Sequence, residues 1–466
     1  MRYAPILAAM TCFVFLGAAK PAQTNREILG AWLASFNAGD AASLTDFEKH
    51  YLGDSDIAFA QDSREETGGF ELVKVETDNA LHLTALVKEH DSKEQWEVTL
   101  ERKAADQSAL SKLGYKPLPM SQADAIAALD ALAARLQAAD KVSGMLLVRK
   151  GGSDLYRKAW GLADREAKVP VTQDTRFYFA SQGKMFTAVA ALQLIEAHKM
   201  SFDDTVGKFL PDYPNADIAR KVTVRELLTH RGGTGDMDLL GPSDTKNRDR
   251  VRSIADIIAI NGARAPDFEP GTKMDYSNYG YVLLGAMIEK ASGEDYYEYL
   301  DRHVFRPAGM LSTGYPLRED TRGIATAYTM RSDKGYVVFD APPDGAKLVN
   351  GMDLLPWRGT PAGGGVSTAD DEARFAVALN EGRLISPAML AQATSNQSEG
   401  WYGYGFIVTG TKDYPFWGHG GGAYGNSLVF DYYPTTGVTL VCMSNLDPPV
   451  CDRLALSYYR RSPRAP

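Results

Sequence analysis

Between residues 185 and 195 the chain reads Met-Phe-Thr-Ala-Val-Ala-Ala-Leu-Gln-Leu-Ile, a run that is apolar on nearly every face of a helix. A helix without a polar face has to be enclosed by other elements, so the fold must build a core large enough to surround it. The run is too short for the ~20 residues that a membrane-spanning helix needs. With 466 residues the chain exceeds one ordinary core, since domains commonly hold roughly 100–200 residues, and two domains are expected. Hydrophobic residues at 44% and charged residues at 23% match ordinary soluble proteins, which argues against both disorder and a membrane bundle. The formal charge of -9 comes without any basic run interleaved with aromatics, so nucleic acid is not expected as a partner.

The first 19 residues carry Arg2, an apolar stretch over residues 6–16 and Gly17-Ala18-Ala19, which is the pattern of a secretory signal peptide. A periplasmic or secreted protein without stable membrane insertion is expected. Only Cys442 and Cys451 lie beyond that signal; an oxidising compartment would permit them to pair, and sequence leaves the pairing open. In residues 24–118, Ile28, Leu29, Trp32, Leu33 and Phe36 recur at helical spacing, as do Leu44, Phe47 and Tyr51. The period then changes to two through Leu81, Leu83, Ala85 and Val87 and through Trp96, Val98 and Leu100, predicting strands, with turns at Asp78-Asn79 and Asp91-Ser92. This predicts a small α+β domain, and Phe36-Asn37-Ala38-Gly39-Asp40 resembles the opening of NTF2-like domains. Its histidines, His50, His82 and His90, fall in separate elements and read as surface residues. Lys116-Pro117-Leu118-Pro119 closes the unit, because prolines suit linkers.

Over residues 119–466 helix and strand signals mix. Residues 124–139 predict a helix, and 144–149 with 154–160 predict a hairpin around Gly151-Gly152. Segments 405–408, 416–418, 427–432 and 438–443 predict a closing antiparallel meander, the last two joined through Pro434 and Gly437.

Ser181-Gln182-Gly183-Lys184 immediately precedes the apolar run. Ser181 then stands at a helix start, where free N–H groups favour a developing alkoxide. Lys184, three residues on, shares its helix face, and burial would lower its amine from an ordinary ~10.4 into the range of a base. A serine hydroxyl needs such a partner to act as nucleophile. A second copy, Ser243-Asp244-Thr245-Lys246, leads into Asn247-Arg248-Asp249-Arg250 and reads as solvated loop.

Further along stand Tyr276-Ser277-Asn278, after Pro270-Gly271, and His419-Gly420-Gly421, after Phe416-Trp417-Gly418. With the Ser-x-x-Lys these resemble, in order and spacing, the three motifs of the penicillin-recognising serine hydrolases: class C-type β-lactamases, D-stereospecific peptidases and related esterases. Glu226-Leu-Leu-Thr-His230, Arg306-Pro-Ala-Gly-Met310 and Gly363-Gly-Gly-Val-Ser367 extend the likeness. The resemblance implies an α+β, β-lactamase/DD-peptidase-like fold and acyl transfer through Ser181. Lys184 and Tyr276 would handle the proton, and Asn278 would hold Lys184 and a substrate amide. It also implies that His419, Gly420, Gly421 and Gly422 face the substrate, with the N–H groups of Ser181 and Gly422 as oxyanion hole.

Histidine at 419 is similar to D-residue-processing peptidases and some esterases, whereas β-lactamases of this type usually place lysine there. The expected substrate is therefore a small ester or a D-residue peptide. A class C-like β-lactamase is the alternative, and a non-catalytic peptidoglycan- or partner-binding module a second one. No cofactor or metal is implied, since no His-Glu-x-x-His, phosphate loop or Gly-x-Ser-x-Gly occurs. The sequence does not address oligomeric state.

Overall fold

The computed structural model describes residues 22–53, 57–90, 94–237, 251–337 and 345–463. The signal, the Asp91-Ser92 turn and the second Ser-x-x-Lys at Ser243 lie outside the described residues. The chain divides after Leu118 into two compact units.

In the first unit, α1 (Asn25–Ala38), α2 (Ala41–Tyr51) and α3 (Ala58–Thr67) precede a meander of β1 (Phe70–Asp78), β2 (His82–Glu89), β3 (Gln95–Arg102) and β4 (Leu110–Pro117). Thr24 and Glu27 form a reciprocal cap on α1. Trp32 and Phe36 stack beside Phe70, Trp96 and Leu100 in a core made wholly of this unit's residues. The period-two signal marks β2 and β3, the two inner strands. The outer strands β1 and β4 escape it because an edge strand exposes most of its side chains: in β1 only Phe70 is buried. Pro117 ends β4 instead of lying in a linker.

The second unit is built on a six-stranded antiparallel sheet. Its elements are α4 (Gln122–Ala138), β5 (Gly144–Lys150), β6 (Ser153–Trp160), α5 (Gly183–Glu196), α6 (Val224–Leu228), α7 (Asn278–Ser292), α8 (Ala369–Asn380), β7 (Ile407–Thr411), β8 (Tyr414–Ala423), β9 (Asn426–Tyr433), β10 (Val438–Ser444) and α9 (Val450–Arg461), with shorter pieces between them. Strand order is β7-β8-β9-β10-β5-β6. The last meander therefore pairs with the early hairpin, Val441 standing opposite Leu147.

Alternation sorts the central strands onto two cores. Leu146, Val148, Leu440 and Cys442 face α4 and α9 through Leu129, Leu132 and Leu454. Met145, Leu147, Val441 and Met443 join the larger core that contains α5 and α8. Cys442 and Cys451 form a disulfide between β10 and α9. In α5 every residue from Gly183 to Leu192 is buried, as the apolar run requires. Each fully buried Leu, Val, Phe or Met contributes roughly 1.5–3 kcal/mol, so this helix can hold a lysine in its first turn and remain docked. Among the described residues no helix is long and apolar enough to cross a membrane.

Candidate active site

Ser181 sits in a 3₁₀ turn, Ala180–Gln182, that runs directly into α5, and it is partly exposed whereas Gln182, Gly183 and Lys184 are buried. The turn is tight because its neighbours close on it. Ala180 has a left-handed φ of 41°, a conformation costing roughly 1–2 kcal/mol for a residue with a Cβ, and Gly364 N–H donates to its carbonyl at 3.2 Å. At Gly363, φ is 142° and a Cβ would fall 1.8 Å from the Ala180 oxygen. At Gly421 on β8 a Cβ would stand 2.8 Å from Phe179 O. Glycine at these two places lets a loop and the sheet approach the backbone beside Ser181 from both sides.

The Lys184 ammonium donates to Ser181 Oγ at 3.2 Å, Asn278 Oδ1 at 2.7 Å and Ala362 O at 2.9 Å. Burial pushes Lys184 down to about 7, against a smaller upward pull from the Asp236 carboxylate. Neutral amine is thus available at neutral pH, as a base requires. Nζ also lies 4.7 Å from the Tyr276 ring centroid and 5.6 Å from that of Tyr281. Burial raises the Tyr276 phenol above its ordinary value and a hydrogen bond with Ser181 opposes the rise, so Tyr276 holds its proton at neutral pH. Ser181, Lys184, Tyr276 and Asn278 form one connected group.

The glycine strand divides by position. Ser181, Asn278 and Gly422 line a cavity of about 130 Å³ together with Tyr424, Arg318 and Arg358. His419, Gly420 and Gly421 do not line it. His419 is 3% exposed, its Nε2 lies 3.1 Å from the Tyr402 hydroxyl, and burial with the nearby Lys184 charge drives it down to about 3. The imidazole is neutral and is engaged by Tyr402, itself buried, and it is not among the residues that line the cavity.

Residues 129–463 match the model of the family described as Beta-lactamase. The chain belongs to the Beta-lactamase family. It is 32% identical to Penicillin-binding protein 4* of Bacillus subtilis (strain 168) over 318 residues, 65% of this chain and 68% of that protein. To Esterase EstB of Burkholderia gladioli it is 28% identical over 351 residues, 65% of this chain and 86% of the relative. Among solved structures, a penicillin binding protein from Bacillus halodurans superposes with a TM-score of 0.58 at 27% identity, covering 69% of this chain and 96% of the other. The fold is that of the β-lactamases and penicillin-binding proteins, and the family is one of hydrolytic serine enzymes.

Two residues of this Beta-lactamase-family site were not singled out from sequence. Asp236 accepts from Asn278 N–H at 3.0 Å and from Asn278 Nδ2 at 3.1 Å, so a carboxylate orients the amide that receives Lys184. His230, part of the Glu226–His230 segment, accepts the Ser277 N–H at Nδ1 at 3.1 Å. Its ring lies 4.2 Å from that of Tyr276, and burial holds it well below its ordinary value. It thereby braces both the backbone and the ring of the Tyr-x-Asn segment. The signal for Asp236 was its place in Arg231-Gly-Gly-Thr-Gly-Asp236, right after that segment.

Proposed function

We propose that the protein hydrolyses small esters or D-residue peptides and amides through an acyl-serine formed on Ser181. The observation that carries this reading is the Lys184 amine: fully buried, lowered to about 7 and 3.2 Å from Ser181 Oγ. In acylation the Ser181 proton passes to neutral Lys184, directly or through Tyr276, while Oγ adds to the carbonyl carbon. The N–H groups of Ser181 and Gly422 receive the oxyanion, where preorganised donors act most strongly. Collapse breaks the bond to the leaving alkoxide or amine, which takes its proton from Tyr276 and Lys184. Water then repeats the sequence on the acyl-enzyme.

The esterase relative, 28% identical over 351 residues, supports the ester or D-residue reading. A β-lactamase is the second reading, supported by the penicillin-binding relatives. The Cys442–Cys451 disulfide supports export to an oxidising compartment.

A fluorophosphonate probe followed by peptide mapping tests the nucleophile. The label is expected on Ser181, with Ser181→Ala losing both label and ester turnover and Ser243→Ala keeping both. Continued turnover in Ser181→Ala would overturn the assignment.

A further inference from the structure

Among the described residues that line the cavity opening on Ser181 there is no carboxylate, and the charged side chains are Arg318 and Arg358. On a chain of net charge -9 this is a local reversal of sign. Arg358 is built in. Its guanidinium carbon lies 3.6 Å from the Tyr297 ring centroid, its Nε donates to Tyr315 O at 2.8 Å, and Tyr297 is itself anchored through its hydroxyl to Gly359 O at 2.8 Å.

One edge of the guanidinium is thus committed to backbone and its plane to an aromatic face, an arrangement that fixes the fork without consuming its charge. Among the described residues no Asp or Glu forms an ion pair with Arg358. Arg318 adds a second guanidinium on the same wall, steadied by a 3.1 Å hydrogen bond to Leu355 O. The segment that carries Arg358 runs on to Ala362, whose carbonyl accepts from Lys184 at 2.9 Å, so the stretch that holds Arg358 also holds the lysine. A rigid arginine in a cleft with no acid among its described lining residues is suited to a carboxylate, whose charge-assisted hydrogen bonds are roughly twice as strong as neutral ones.

We propose that the substrates of this site carry an anionic group, a carboxylate or its equivalent, and that Arg358 is the residue that receives it. The inference rests on the serine-hydrolase reading and names its substrate class. The anion can belong to the acyl part or to the leaving group.

Two matched pairs of esters distinguish these sources: para-nitrophenyl hydrogen glutarate against para-nitrophenyl glutaramate, and meta-carboxyphenyl butyrate against its carboxamide. The readout is the carboxylate-to-carboxamide ratio of kcat/KM, not the absolute rate. Wild type is expected to favour the carboxylate in one pair by about tenfold or more, the worth of one charge-assisted contact. The preference should shrink with added salt, fall to about one in Arg358→Gln, and survive in part in Arg358→Lys, which keeps the charge without the fork.

A ratio near one in wild type for both pairs, or a ratio that Arg358→Gln leaves intact, overturns the proposal. Equal losses on both members of a pair also overturn it, since they assign Arg358 a purely structural role. Fluorophosphonate labelling of each variant reports an assembled site, and absence of Ser181 labelling in wild type is the separate result that would sink the hydrolase reading itself.

Discussion

The chemistry proposed at Ser181 depends on one proton, and burial points to Lys184 as its holder. Because burial lowers Lys184 to about 7, kcat/KM on an activated ester should rise with pH through about 7 as the ammonium becomes a free amine, and level off above. Asp236 stabilises the cation, so Asp236→Asn should move that inflection to lower pH. It should also reduce kcat, because Asn278 exchanges a charged acceptor for a neutral one. An inflection unmoved by Asp236→Asn, read from pH profiles of both proteins, would show that the carboxylate does not act on Lys184. The burial of Lys184 was legible because the apolar helix follows it directly in the chain. The partners of Asn278 and His419 were not, since Asp236 lies 42 residues from Asn278 and Tyr402 lies 17 from His419. The motif pointed to His419; only the packed structure shows it bonded to a buried tyrosine.

Among the elements, α8 holds the least expected group. Glu372 is fully buried and burial raises its carboxyl well above the ordinary value, with Asp371 adding to the rise. With its amide turned to give matched donors and acceptors, Gln182 donates to Glu372 Oε1 at 2.8 Å and accepts from Phe430 N–H at 3.1 Å. Glu372 Oε2 has no hydrogen-bond partner. The acid therefore ties α8, the nucleophile turn and β9 together in its neutral form. An acid whose folded pKa is raised keeps its proton in the folded state and loses it in the unfolded one, so stability declines as pH climbs from about 4.5 towards the folded value. Glu372→Gln retains the shape without the ionisation. Its stability should match wild type near pH 4.5 and exceed it increasingly towards pH 8, as read from denaturation midpoints across that range. A constant difference across that range would show that Glu372 does not titrate with folding. At this scale the sequence was most informative for strands buried on both faces, β9 and β10, whose apolar runs are continuous. It was silent on β1 and α3, whose exposed faces carry no period.

At the scale of the whole molecule, every residue of the candidate site lies after Pro119, as does the family match that begins at residue 129. The first unit packs a core of its own, centred on Trp32, Phe70 and Trp96, and the described residues that line the cavity at Ser181 belong to the second unit. Two units with separate cores are expected to unfold as separate cooperative transitions. A fragment spanning residues 119–466 should therefore fold and take the fluorophosphonate label at Ser181 at a rate within a factor of about three of the full chain, a difference under 1 kcal/mol in activation free energy. Calorimetry of the full chain should show a transition that the fragment lacks. The fragment keeps the large core that encloses α5, and burial in that core is what lowers the Lys184 amine to about 7. A folded fragment labelled more than about tenfold slower, a loss above 1.4 kcal/mol, would instead show that the first unit contributes to the reactive geometry of Ser181, and the separation into a catalytic unit and an accessory one would fail.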